Sequence, residues 1–175
     1  MLEFTNTEMK KTSKSRQPAV YAFIDSQNLN LGVKSQGWKL DFRKFRIFLE
    51  EKYSVKKAFL FIGYIPTNKK LYDYLRRSDY NIIFKPVLKS SKHKKAKVKG
   101  NVDAELVLYT LIEFPNYDKA IIVSGDGDFY CLADYLIQKG KLKKIIVPNL
   151  KYSSILRKFS SFIVNVNLFR GKIEA

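Results

Sequence analysis

The chain has 175 residues, of which 46% are hydrophobic, enough for one domain with a full core and no covalent staples. Its 33 Lys and Arg against 16 Asp and Glu give a net charge of +17, so a polyanionic partner is the default inference. One His and one Cys exclude a zinc finger, a His/Cys metal cluster and an internal disulfide, and leave only oxygen ligands for any metal.

Residues 1–17 are polar, mixed in charge and without apolar period, and are expected to form a loose arm. From Pro18 short apolar runs begin to alternate with amphipathic stretches. Val20 to Ile24 reads as a strand covered on both faces, ending in the polar group Asp25, Ser26, Gln27, Asn28. Asp41 can cap a helix carrying Phe42, Phe45, Phe48 and Leu49 at helical spacing. Ala58 to Ile65 predicts a second strand ended by Pro66, Asn68 to Arg77 a helix, and Ile82 to Leu88 a third strand.

After a basic break, Asp103 to Phe114 predicts a helix and Ala120 to Val123 a fourth strand, which runs into Ser124, Gly125, Asp126, Gly127, Asp128. Phe129 to Lys139 reads as a helix stopped at Gly140. Ile145 to Val147 predicts a fifth strand, Ser153 to Lys158 a short helix, and Phe162 to Val166 a sixth strand. Strands alternating with helices predict an α/β domain over 18–170, with a parallel sheet covered on both faces and a tail at 171–175. The apolar runs are far shorter than a membrane span and no signal peptide precedes them, so the expected location is cytoplasmic, without a membrane partner.

In such sheets ligands bind beyond the carboxyl ends of the strands. Asp25 follows the first strand, and Asp126 and Asp128 follow the fourth; pairing of those strands would bring three carboxylates to one edge. Asp103 is a fourth candidate, since helical projection aligns it with Leu106, Val107, Thr110 and Phe114 on the inward face. Each acid also has an ordinary reading: a strand-end turn for Asp25, a helix cap for Asp103 or Asp128, a turn residue for Asp126. Convergence of all four requires compensation, and a hard divalent cation such as Mg²⁺ or Mn²⁺ is the natural one, suited to phosphodiester hydrolysis.

Three segments carry a family resemblance: Phe-Ile-Asp-Ser-Gln-Asn-Leu at 23–29, Lys-Gly-Asn-Val-Asp-Ala-Glu-Leu at 99–106, and Val-Ser-Gly-Asp-Gly-Asp-Phe at 123–129. They resemble NYN domains, in the LabA-like branch of the PIN-like ribonuclease superfamily. The resemblance implies a three-layer α/β fold with a mostly parallel sheet of five to six strands, and RNA cleavage by activated water with one or two Mg²⁺ or Mn²⁺ ions. By motif, Asp25, Asp103 and Asp126 would be metal carboxylates, and Asp128 a further ligand or the holder of a water. Asn28 would fix Asp25 or the nucleophile, and Ser124 would do likewise or touch phosphate. Ser26 stands where Gly is frequent in the family, which leaves the local backbone shape open.

From Lys85 to Lys99 seven lysines, including Lys92, Lys94, Lys95, Lys97 and Lys99, occur without an acid, beside the only histidine, His93. A solvated loop is the plain reading of any one of them, and a phosphate-binding loop the reading of the cluster. Tyr64, Tyr72, Tyr74, Tyr130 and Tyr152 could stack on unpaired bases, though packing accounts for most tyrosines. His93 is not expected to be catalytic, Cys131 is expected in the core, and Trp38 is expected to pack. The expected partner is therefore single-stranded RNA, with a homodimer left open. A non-catalytic RNA-binding module and a phosphohydrolase of small phosphate esters are the competing readings.

Overall fold

A computed structural model describes residues 17–85 and 102–175. Six strands, β1 (Val20–Asp25), β2 (Val55–Gly63), β3 (Tyr80–Lys85), β4 (Lys119–Val123), β5 (Leu142–Val147) and β6 (Ile163–Asn165), form one sheet in the order β3-β2-β1-β4-β5-β6. Every pairing is parallel. The helices are α1 (Ser26–Lys34), α2 (Phe42–Tyr53), α3 (Lys69–Arg77), α4 (Asp103–Ile112), α5 (Tyr130–Gln138) and a single turn, α6 (Arg170–Ile173).

The three layers follow from the alternation along β1. Val20, Ala22 and Ile24 point to one face, where they meet Leu29 and Val33 of α1, Phe45 and Leu49 of α2, Leu75 of α3 and Ile173 of α6. Tyr21 and Phe23 point to the other, where they meet Leu106 of α4, Leu132 and Leu136 of α5, and Leu156 and Phe159 of the 3₁₀ segment Ser154–Phe162. Every residue of β1 is buried. A fully buried Ile or Phe stabilises by about 1.5–3 kcal/mol, so this strand can hold one unfavourable group at its end without losing the fold.

Several boundaries differ from the sequence reading. The polar group after β1 is the start of α1, a helix with only Ser26, Leu29 and Val33 buried and too little apolar signal to be seen in sequence. β2 and β3 begin earlier than expected: Ser54 ends α2 in the left-handed conformation (φ 60°), and Asp79 turns the chain into β3 in the same region (φ 63°). Ser153 to Lys158, expected as a short helix, lies in the longer 3₁₀ segment, where Phe159 has non-helical backbone angles. In the expected tail, Ile173 is fully buried and Leu40 bridges to Glu174.

Cys131 is exposed rather than in the core, because α5 turns Leu132, Ala133 and Leu136 inward. Trp38 packs as expected. No helix among the described residues is long and apolar enough to cross a membrane. The expected arm up to residue 16, His93, and Lys92, Lys94, Lys95, Lys97 and Lys99 lie outside the described residues.

Candidate metal centre

The strand order reverses between β1 and β4, which are hydrogen-bonded neighbours with Ile24 opposite Val123. This is the switch point at which open parallel sheets bind their ligands. The segments that follow, Asp25–Asn28 and Ser124–Asp128, therefore emerge side by side, joined by the Gly125 N–H, which donates to Asn28 Oδ1 at 2.9 Å.

Asp25 closes β1 and caps α1, its Oδ1 accepting from Asn28 N–H at 2.9 Å. This carboxylate thus caps a helix where a strand-end turn was the ordinary expectation, and it also stands at the switch point. It is only 6% exposed. Burial pushes its carboxyl up to about 6; the Asn28 N–H pulls it down, and the negative charges of Asp103 and Asp126 push it further up. Ser26 is the first residue of α1 and is not among the positive-φ positions, so no glycine is required there.

Asp126 caps the 3₁₀ turn Gly127–Phe129, its Oδ1 accepting from Asp128 N–H at 3.1 Å. Asp128 lies within that turn, and Phe129 holds the N-cap position of α5, so Asp128 does not cap the helix. Asp103 is the first residue of α4, one position past Val102, which holds the N-cap position. As projected, Leu106 and Thr110 on its face are buried, and Val107 and Phe114 pack against the same core. One carboxylate oxygen from each of Asp103, Asp126 and Asp128 lies within 4.8 Å of the others, with Asp128 exposed to solvent.

That spread suits a hard cation, since oxygens bound at about 2.0–2.6 Å on opposite sides of an ion stand roughly 4–5 Å apart. Two like charges 4 Å apart repel by about 4 kcal/mol at an effective dielectric of 20, and a divalent ion reverses the sign of that sum. The residues present thus fit Mg²⁺ or Mn²⁺. The N-terminus of α1 and the first turn of α4 also meet the acids, and their backbone N–H groups favour negative charge.

Asn28 does bind Asp25, but through its backbone; its side-chain oxygen holds the β4 loop instead. Ser124 is 1% exposed and its Oγ accepts from Asp126 N–H at 3.2 Å, so it shapes the acidic turn.

The sequence reading missed the brace behind the acids. The Gly125 carbonyl accepts from Ser153 N–H at 2.9 Å. A Cβ on Gly125 would stand 3.0 Å from Tyr152 Cβ, and one on Gly127 2.5 Å from Ser153 Oγ. Both glycines thus let the acidic loop approach the 152–153 segment closely, most tightly at Gly127, which the Ser-Gly-Asp-Gly-Asp run signals without naming its partner. A second omission is the ion pair of Lys85 with Glu105 at 3.1 Å, which ties the end of β3 to the first turn of α4.

The chain is thus an all-parallel α/β domain with carboxylates gathered at the switch point, a donor set that suits a hard cation. The NYN domain model matches residues 19–167, and the chain belongs to that family of PIN-like nucleases, which are generally ribonucleases. Among solved structures it is similar to a protein of unknown function from Vibrio parahaemolyticus, with 21% identity, a TM-score of 0.73, and coverage of 93% of this chain and 99% of the other. That likeness extends the fold over nearly the whole of both chains. No curated protein matches the chain.

Proposed function

We propose that this protein is a divalent-metal-dependent ribonuclease, of the LabA-like branch, that hydrolyses RNA phosphodiester bonds in the cleft beyond β1 and β4. The observation that carries the reading is the convergence of Asp103, Asp126 and Asp128 within 4.8 Å at the switch point, beside the buried Asp25. Asp103, Asp126 and Asp128 would hold Mg²⁺ or Mn²⁺. When bound, the ion would supply Lewis acidity toward the phosphate and lower the pKa of a water held on it.

The protein's own part is positioning. Asn28 and Ser124 fix the backbone that presents Asp25 and Asp126, so the carboxylates need no rearrangement when substrate arrives. Asp25, buried beside Asp103 and Asp126, would orient the attacking water and take its proton. Hydrolysis in this manner leaves a 5′ phosphate and a 3′ hydroxyl. The net charge of +17 offsets the repulsion between the acidic cleft and RNA.

Purified protein should cut a labelled RNA with Mn²⁺ or Mg²⁺ and stop with chelator. Asp126→Asn should slow cleavage by about 10²- to 10³-fold, the equivalent of roughly 3–4 kcal/mol of lost charge stabilisation. Cleavage that ignores chelator, or full activity in Asp126→Asn, would falsify this mechanism; tight RNA binding without cleavage under either metal would instead favour a non-catalytic RNA-binding module.

A further inference from the structure

The structure separates the five tyrosines that sequence reading set together. Tyr72 is 3% exposed, with its hydroxyl accepting from Ile65 N–H at 2.7 Å. The Tyr74 hydroxyl donates to Asp41 at 2.9 Å, Tyr130 is bonded to Lys158, and Tyr152 packs against the core behind Gly125. Tyr64 differs: it is 46% exposed, immediately beyond the end of β2.

Its ring is held in place from within. Tyr72 stacks against it at 5.8 Å and 23°, and Phe84 meets it edge-on at 5.3 Å. Arg76 lies over the Phe84 ring at 5.7 Å, and Lys69 and Lys70 are exposed at the start of α3. The Tyr64 N–H donates to the Lys85 carbonyl at 2.9 Å, and Lys85 pairs with Glu105, two residues beyond Asp103. Asp25 is in register with Phe61 of β2, so Tyr64 stands three residues farther on, about 10 Å along the strand direction. A braced, half-open aromatic ring among cations, one strand from the acidic cluster, has the make-up of a base-stacking surface.

We infer that Tyr64, braced by Tyr72 and Phe84, is a stacking platform for an unpaired base of single-stranded RNA whose backbone runs into the Asp103–Asp126–Asp128 cluster. This rests on the reading of RNA as substrate and names the form of RNA the cleft takes. A duplex keeps its bases stacked internally and cannot use the platform.

The test is fluorescence anisotropy with a labelled single-stranded RNA in chelator, so that binding is read without cleavage. Tyr64→Leu should weaken binding by about 5- to 100-fold, and Tyr64→Trp should bind at least as tightly as the native chain. The salt dependence should not change, since no charge is removed. An RNA with a single abasic position at the stacked site should bind the native chain as weakly as intact RNA binds Tyr64→Leu, and should lose little more with that variant. Tyr64→Leu binding within twofold of the native chain, or equal losses on single strand and duplex, overturns the platform. Cleavage with Mn²⁺ is scored separately. A protein that cuts RNA but is indifferent to Tyr64 loses the platform and keeps the nuclease; one that binds through Tyr64 without cutting does the reverse.

Discussion

At Asp25 burial and charge oppose each other. Its folded pKa near 6 lies above the ordinary 3.8, so its contribution to stability is fully present below about pH 3.8 and is lost as pH rises through 6. A shift of about two units corresponds to roughly 3 kcal/mol at pH 7.5 in metal-free protein. Asn in its place keeps the capping acceptor and removes the charge. Asp25→Asn should therefore melt about 5–10 °C higher than the native chain at pH 7.5 in chelator, and the gap should close by pH 4. Thermal melts across that range read it directly; a constant gap would assign the effect to packing. Mn²⁺ should stabilise the native chain more than the variant, since the ion relieves the repulsion that the substitution has already reduced.

At the scale of elements, α1 is held against the segment after β5 by a close contact: a Cβ on Gly32 would stand 2.5 Å from Pro148 Cβ and 2.6 Å from Pro148 Cγ. In an open helix Gly→Ala gains up to about 1 kcal/mol. Here the rigid ring cannot rotate away, and overpacking costs about 1–3 kcal/mol. Gly32→Ala should thus destabilise by about 1–2 kcal/mol, measured by denaturant unfolding, the opposite sign from helix propensity. The same contact explains why α1 was hard to read. Its two apolar anchors, Leu29 and Val33, are one turn apart in a polar stretch, and its stability comes from β1, Pro148 and the Asp25 cap. The strands were legible because both their faces are buried, which leaves unbroken apolar runs such as Val20 to Ile24. Asp103 was legible as an acid on an inward helix face, and Asp126 as the exit of a buried strand. The side-chain link from Asn28 to Gly125 joins residues 97 apart and leaves no periodic trace in sequence. Nor does the ring-on-ring support of Tyr64, whose partners lie on α3 and β3.

For the whole molecule the charge of +17 should be visible as salt dependence. Each neutralised phosphate of a single strand adds about 0.7 to the slope of log K against log salt, so a footprint of about five phosphates gives a slope near −3.5. Raising salt from about 50 to 200 mM should then weaken RNA binding roughly 100-fold, with chelator present throughout. A flat salt profile would mean that the basic surface is not where RNA sits. The position of β4 has a consequence for biosynthesis as well. It inserts between β1 and β5, yet it follows β1, β2 and β3 in the chain. A nascent chain that ends before Lys119 already carries Asp25 and Asp103, but β1 still has a bare edge and nothing brings Asp126 alongside. Such a chain is exposed to edge-to-edge association, and it has no complete cluster to hold an ion. The acidic centre is therefore among the last parts of the molecule to exist, and a strongly basic chain emerging from the ribosome completes it only when its final third has docked.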